Sequence, residues 1–424
     1  MKLEEISESE YNKFIKKFDN TLFFQSVEWG KFKSKTNWNM NILGLKKGKT
    51  IKAALIVLNQ RVPILNKKIY YSPRGFIVDY SDFELLKELT DKLKQFLKDN
   101  NALFLKINPY VSYQERDKDG NIISENNDKL VNYLKKLGYK HYGFYIKADE
   151  KRDLEPRWLS VLNLENKSEE QLLQEMRSTT RWMINKSYKN FITIKEAGYD
   201  DIQKFKDIMV HTSSRRGFDD RPISYYQMMF KELKKSDMIR ILFAEIDLKK
   251  AKESYINDIK KLDNRINNII NNPTKINQVN EFKSQIESLN KKIEQVDNEM
   301  NEYGSNPIIS AGLYISYGSE VVYLFGGSYK EFMGYGAQYM MQWEAIKYAK
   351  MDNYKKLNFY GIDGDFRKES KYYGLFDFKR GFNSDVVELI GEFDLTHNKF
   401  NYYIYKFMFW CYRVLKTLKR KIIK

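Results

Sequence analysis

The 424-residue chain carries 73 Lys and Arg against 56 Asp and Glu, a formal net charge of +17, with 42% hydrophobic and 15% aromatic residues. That composition excludes a disordered chain, and the length suits two or three domains with more than one buried core. A single cysteine, Cys411, excludes a disulfide framework and a CxxC zinc site, and His141, His211 and His397 are too scattered for a histidine metal site. The N-terminal MKLEEISESE does not read as a signal peptide, and no apolar run reaches the roughly 18 residues of a membrane-spanning helix. The expected setting is cytoplasmic, and the net charge predicts an anionic partner.

In chain order, MNILGL (40–45) and IKAALIVL (51–58), separated by KKGK, read as a β-hairpin. IYYSPRGFIVDY (69–80) reads as a strand, a Pro-Gly turn and a second extended piece. Leu85, Leu86, Leu89, Leu93 and Phe96 share one face of a helix over 83–100, and ALFLKINPY (102–110) is a buried strand ending at Pro109. Strand, strand, helix, strand is the pattern of an α/β layered unit. The pattern recurs from 161, where a strand runs through Ser168 into a helix; Ser168 with Gln171 is a capping-box signature. Helices near 199–210 and 222–235 and strands at 238–246, 308–318 and 321–328 follow. A helix over 337–351 and the strand KLNFYGI (356–362) complete the second unit.

Residues 248–302 are of another kind. Tyr255, Ile259, Leu262, Ile266 and Ile269, then Val279, Phe282, Ile286, Leu289, Ile293, Val296 and Met300 after Pro273, alternate steps of three and four. This predicts an antiparallel helical hairpin with arms of roughly 35 Å at 1.5 Å per residue. The tail differs again. After Asp394 no acidic residue occurs, and 399–424 holds eight Lys or Arg among Tyr402, Tyr403, Tyr405, Phe407, Phe409, Trp410 and Tyr412. Such a helix either lies on an anionic membrane surface or packs its aromatic face on the first unit.

The familiar catalytic signatures (HExxH, GxSxG, the Walker A loop, the Rossmann glycines) are absent from the sequence. Nucleophilic Cys–His chemistry would depend on Cys411, in the tail and far from any predicted loop site. The string from Glu331 through Gly334 and Gly336 to Ala337, between a strand and a helix, resembles the CoA-pyrophosphate loop of GNAT acyltransferases. Glu331, however, places an anion where a pyrophosphate would sit. Three cationic spots are anion-site candidates, with a solvated surface as the alternative for each. They are Trp29-Gly30-Lys31-Phe32-Lys33, the Arg215-Arg216-Gly217 run leading to Arg221 and Tyr225, and the group Arg177, Arg181, Lys186 and Lys189. The segment 376–382, with Phe378 and Lys379, reads as either a nucleotide-stacking element or a core strand with exposed lysines.

FFQSVEWGKFKSKTNW (23–38), YYSPRGFIVDY (70–80), LKINPY (105–110) and SSRRGFDDRPISYY (213–226) resemble the Fem transferases of bacterial cell-wall synthesis. So do LFGGSYKEFMGYGAQYMMQWEAIKYA (324–349), NFYGIDG (358–364) and FDFKRGFNSDVVELIGEFD (376–394), all in the same order over 1–395. The resemblance implies an α/β fold of two GNAT-like acyltransferase domains, 1–148 and 149–247 with 303–395. A coiled-coil arm would occupy 248–302 and a basic aromatic tail 396–424. It implies transfer of glycine, alanine or serine from aminoacyl-tRNA to the stem-peptide amine of lipid II or of UDP-MurNAc-pentapeptide. No cofactor or metal is implied; the composition of the tail, the part the resemblance covers least, adds the expectation of a peripheral contact with the inner membrane surface through 399–424. Two rival expectations are a CoA-dependent GNAT-type N-acyltransferase and a non-catalytic tRNA- or membrane-binding protein.

Carried over residue by residue, Lys33 and Arg215 match the pair that holds the precursor diphosphate. Tyr225 and Tyr323 match pocket aromatics, with Arg74 and Asn108 in the same substrate-binding set. Lys379 matches the lysine near the tRNA acceptor end and the transferred carbonyl, where an ammonium stabilises an oxyanion. Phe378 and the basic group Arg177, Arg181, Lys186 and Lys189 are its expected RNA-facing neighbours. Family members commonly have Asp at the position of Asn108, which cannot take a proton at neutral pH. The acceptor amine must then lose its proton to another group, the substrate phosphate included.

Overall fold

A computed structural model describes residues 1–62, 65–146 and 154–422, with side chains described as far as Leu415 except Arg413. The domain boundary expected at 148 and the basic side chains at 413 and 416–424 lie outside the described residues. The chain opens with β1 (Lys2–Glu5) and α1 (Glu8–Ile15), where Ser7 and Glu10 form a capping box. Then come α2 (Val27–Ser34), β2 (Asn39–Lys47), β3 (Thr50–Val62) and β4 (Lys67–Ser72); β2 and β3 form the expected hairpin. The second extended piece expected up to 80 is a bridge between Ile77 and Ala54 instead of a strand. α3 (Phe83–Asp99), capped by Asp82, buries Leu86, Leu89, Leu93 and Leu97 and leads to β5 (Ala102–Ile107), parallel to β4. β6 (Ser112–Arg116), α4 (Asp128–Lys136) and β7 (Tyr139–His141) end the first half.

The second half begins with β8 (Trp158–Asn163) and α5 (Glu169–Glu175), which Ser168 and Gln171 cap reciprocally as their spacing predicts. α6 (Ser178–Lys189), β9 (Ile192–Glu196), α7 (Ile202–Arg216), α8 (Ile223–Leu233) and β10 (Ile239–Ile246) follow. α9 (Leu248–Ile269) and α10 (Ile276–Tyr303) then fold back along each other. Lys252 near the start of one pairs with Asp297 near the end of the other at 2.6 Å, and every residue of the two apolar stripes is buried or half-buried. β11 (Ile308–Tyr317), β12 (Glu320–Ser328), α11 (Ala337–Met351) and β13 (Lys356–Gly361) match the expected order. α12 (Tyr373–Arg380), β14 (Asp385–Leu389), β15 (Phe393–Leu395) and α13 (Lys399–Ile422) complete the chain. The segment around Lys379 is therefore a helix where the mixed aromatic and basic pattern also suggested a strand. Phe376 and Lys379, three residues apart, share its buried face.

Two mixed sheets organise these elements. One runs β1-β2-β3-β4-β5-β15-β7 and the other β6-β14-β8-β13-β12-β11-β10-β9. The halves exchange strands: β6 leaves the first to edge the second sheet against β14, and β15 returns from the second to lie between β5 and β7. A cut near 148 would sever both exchanges. The end of β4, the end of β5, the end of β13 and the approach to β8 consequently meet between the two sheets. α13 packs its inner face, Tyr402 and Tyr405, on Phe104 of β5, so one side of the tail does cover the first sheet.

Candidate active site

The turn after β4 sets one wall. Arg74 is buried with φ of 53°, a left-handed conformation that a side chain adopts only where its surroundings hold it. Asn108, just beyond β5, provides that hold. Its Oδ1 accepts the Arg74 N–H at 2.9 Å, while its Nδ2 donates to the Tyr71 hydroxyl at 3.1 Å. Both ends of the Asn108 amide are thus used inside the fold, and its place in the substrate set is one of support. Arg74 Nη2 donates to the Pro156 carbonyl at 2.6 Å, and its buried Nε has no hydrogen-bond partner among the described residues.

The segment before β8 brings in the residue that sequence reasoning missed. Glu155 accepts a hydrogen bond from the Tyr360 hydroxyl, and Tyr360 sits at the end of β13 in a left-handed conformation, φ 65°. Burial holds the Glu155 carboxyl above the usual carboxylate range, against the opposing pull of Arg74, Tyr360 and Lys33. Burial also keeps the Tyr360 phenol protonated far past neutrality, so it remains a donor. The only sequence signal was a carboxylate in Leu154-Glu155-Pro156-Arg157-Trp158, directly before a buried strand.

Lys379 closes the floor. It is 4% exposed, and the sole hydrogen bond of its side chain among the described residues is Nζ to the Gly361 carbonyl at 2.7 Å. Burial lowers its pKa to about 7, and among the described residues no carboxylate offsets it. Gly361 also explains how the walls meet. A Cβ there would come within 2.7 Å of Pro156, the residue whose carbonyl Arg74 holds. Lys379, Gly361, Pro156 and Arg74 are therefore one continuous line of contacts, with Glu155 and Tyr360 beside it.

The rim is cationic and aromatic. Tyr225 of α8 packs edge-on against Phe32 at 5.0 Å, with Lys33 Nζ 5.8 Å and the Arg221 guanidinium 5.4 Å from its ring. Burial first, then the neighbouring Arg221, lowers the Lys33 pKa, while Glu155 pulls it the other way. Arg215 stands in the last turn of α7, where the charges acting on it are Arg216 and Glu331. Gly217 turns the chain out of α7 at φ 74° toward Arg221, so both arginines flank one short connection. Tyr323 lies on β12, stacked 5.1 Å from Tyr314 and donating to Gln338 Oε1 at 3.2 Å.

The expected RNA-facing set divides. Arg177 forks onto Asp377 at 2.8 and 3.2 Å, and Arg181 donates to the Gln174 and Met176 carbonyls at 2.6 and 2.7 Å. Phe378 packs on Tyr339 and Phe382 at 4.9 and 5.3 Å. These three are consumed largely by internal packing. Lys189 is exposed, and Lys186 lies 5.0 Å from the ring of Trp182, itself 59% exposed. Burial and Lys292 of α10 together lower the Lys186 pKa, which places the hairpin beside this surface.

The FemAB family model matches residues 6–409 of the chain. Aminoacyltransferase FemA of Staphylococcus epidermidis is 30% identical over 433 residues, covering 99% of this chain and 100% of that protein. Aminoacyltransferase FemB of the same organism is 30% identical over 431 residues, covering 100% of each. The crystal structure of FemX superposes with a TM-score of 0.75 at 26% identity, over 95% of this chain and 99% of that one. A match that runs from Ile6 into α13, joined to full-length relatives and a shared fold, establishes that the chain belongs to the FemAB family.

Proposed function

We propose that the protein transfers an amino acid from aminoacyl-tRNA to the stem-peptide amine of a peptidoglycan precursor, building the interpeptide bridge. The observation that carries this reading is the line from Lys379 through Gly361 and Pro156 to Arg74, with Glu155 beside it and Lys33 and Tyr225 at the rim. The names of the relatives as aminoacyltransferases support it. The donor is glycine, alanine or serine, and the acceptor is carried on lipid II or on UDP-MurNAc-pentapeptide.

In this reading Lys33, Arg221 and Arg215 take the precursor diphosphate by charge-assisted hydrogen bonds. The acceptor arrives as an ammonium beside Glu155, which accepts one proton to release the free amine. The nitrogen then attacks the ester carbonyl and the C–N bond forms. Charge collects on the carbonyl oxygen, where the Lys379 ammonium stabilises it. The C–O bond to the ribose breaks, the tRNA hydroxyl leaves, and it takes the second proton from nitrogen. Alignment of an activated ester with an amine provides much of the rate, since effective molarities reach about 10^5–10^8 M. Lys186, Lys189 and Trp182 offer the RNA a cationic and aromatic surface beside the hairpin.

Mass spectrometry of lipid-linked and UDP-linked precursors, incubated with the protein and a mixture of charged tRNAs, tests the reading. The expected outcome is a precursor lengthened by one amino acid. If neither precursor is lengthened with every donor supplied, the reading fails. Modification that depends on acetyl-CoA and not on tRNA would replace it with the CoA-dependent acyltransferase.

A further inference from the structure

α13 has two faces, and the fold uses one. Tyr402 is buried against Phe104, and its hydroxyl donates to Asp394 Oδ2 at 2.9 Å. Lys406 pairs with the same carboxylate at 3.0 Å. These contacts fix the orientation of the helix on the first sheet. The opposite face is left to solvent. Phe400, Tyr403, Ile404, Phe407, Trp410 and Val414 recur at the three- and four-residue steps of a single helical stripe. Phe400 is 74% exposed, Phe407 65% and Trp410 60%, and the last two rings stack on each other. Isolated exposed apolar residues are ordinary, but a continuous stripe over four turns of one helix marks a contact surface.

The charge around the stripe identifies the occupant. Eight Lys or Arg occur between 399 and 424 with no acidic residue, so every charged residue in the sequence of this helix is a cation. A second copy of the same helix would set cation against cation. A nucleic acid answers the charge, but Phe400, Ile404, Phe407 and Val414 offer aliphatic and ring-edge surface with no hydrogen-bonding groups for it. An anionic bilayer answers both features. Aromatic and aliphatic side chains enter the headgroup boundary, Trp and Tyr favour that interface, and lysines reach to the lipid phosphates. Among the described residues no helix is long and apolar enough to cross a membrane, so α13 would lie on the surface.

We infer that the solvent face of α13 is a membrane-docking surface selective for anionic lipid. The stripe from Phe400 to Val414 enters the headgroup boundary, and the wholly cationic sequence of 399–424 supplies the preference for anionic lipid. The inference does not rest on the proposed transfer reaction, because it is read by binding alone. The test is co-sedimentation of the full chain with vesicles of phosphatidylcholine, with and without about 30% phosphatidylglycerol. Binding is expected to be at least about tenfold stronger to the anionic vesicles and to weaken as salt is raised. The double variant Phe407→Glu/Trp410→Glu, both residues outside the core, should lose about tenfold or more, whereas Lys49→Glu on an exposed turn of the first sheet should not.

Wild-type protein that ignores anionic vesicles overturns the inference without recourse to any variant. So does a double variant that melts like the wild type and still binds as tightly. If the double variant loses affinity for a short RNA and keeps it for vesicles, the surface belongs to nucleic acid instead.

Discussion

Lys106 on β5 and Lys379 on α12 are both largely withdrawn from water, yet their surroundings are opposite. Lys106 lies 3.0 Å from Glu392 and 3.1 Å from Asp394, and Asp394 also binds Lys406 and the Tyr142 and Tyr402 hydroxyls. Burial alone would lower the Lys106 pKa, but the two carboxylates outweigh it and hold the ammonium above its ordinary range. Among the described residues Lys379 Nζ has one backbone carbonyl and no counter-charge, and its pKa falls to about 7. The first region is a closed ionic knot that locks β15 and α13 onto the first sheet. The second is an incomplete site: among the described residues its ammonium has no anion and, nearby, Arg74 Nε has no acceptor. Buried charges that are neutralised internally serve the fold, and those left short of partners point to a ligand.

The largest effect should come from breaking the knot. Lys106→Met leaves Glu392 and Asp394 buried with less compensation, which costs about 3–5 kcal/mol of stability. Urea unfolding followed by circular dichroism measures this. A loss well under 1 kcal/mol would mean that the two carboxylates are satisfied without Lys106.

Lys379→Met should act in the reverse sense on stability and severely on activity. Removing the oxyanion partner is expected to lower kcat by about 10^2–10^3-fold. The folded lysine has a pKa near 7 and the unfolded one near its ordinary value of about 10.4, so the unfolded chain binds the extra proton between those limits. Stability of the natural protein therefore rises with pH across that window. The Met variant lacks this dependence, so it should exceed the natural protein by about 3 kcal/mol at pH 6, after loss of the Gly361 hydrogen bond. The gain should vanish by about pH 10. Thermal melts at several pH values distinguish this from an ordinary packing change, which would give a constant offset.

Glu155→Gln keeps the acceptor for the Tyr360 hydroxyl and removes the titration. Transfer should fall by about 10^2-fold. In the natural protein the rate should drop as pH falls through the raised Glu155 pKa, because only the carboxylate accepts a proton. The Gln variant should lose that acidic limb. An unchanged pH profile would assign the proton to another acceptor.

These contrasts show where sequence was legible. The order of strands and helices could be read because period-two and period-3.6 patterns are local, as Leu86 to Leu97 in α3 and the seam of α9 and α10 illustrate. The exchange of β6 and β15 could not, since strand partners more than 250 residues apart leave no mark on either segment. Lys379 was found through the family strings, but its lack of a counter-charge became evident only in the fold. Arg177 and Arg181 had the composition of an RNA contact, yet Asp377 forks onto the first and two backbone carbonyls hold the second. Glu155 stayed hidden because a lone carboxylate before a proline has no periodicity to betray it.

The smallest predicted effect sharpens the comparison on a single short helix. Lys31, Lys33 and Lys35 alternate along α2 and its cap. Lys31 pairs with Glu8 at 2.7 Å and Lys35 with Glu232, whereas among the described residues no carboxylate lies within ion-pair distance of Lys33. If an unpaired cation marks a ligand here as it does at Lys379, only the middle lysine should matter for binding. Lys33→Met is expected to raise the KM for the precursor by about tenfold with little change in kcat, the pattern of an interaction made equally in ground and transition states. Lys31→Met, which removes an exposed pair of small worth, should leave both constants unchanged. Equal effects of the two substitutions would reduce the α2 cations to a diffuse field, and the diphosphate would then have to be held by Arg215 and Arg221 across the α7–α8 connection.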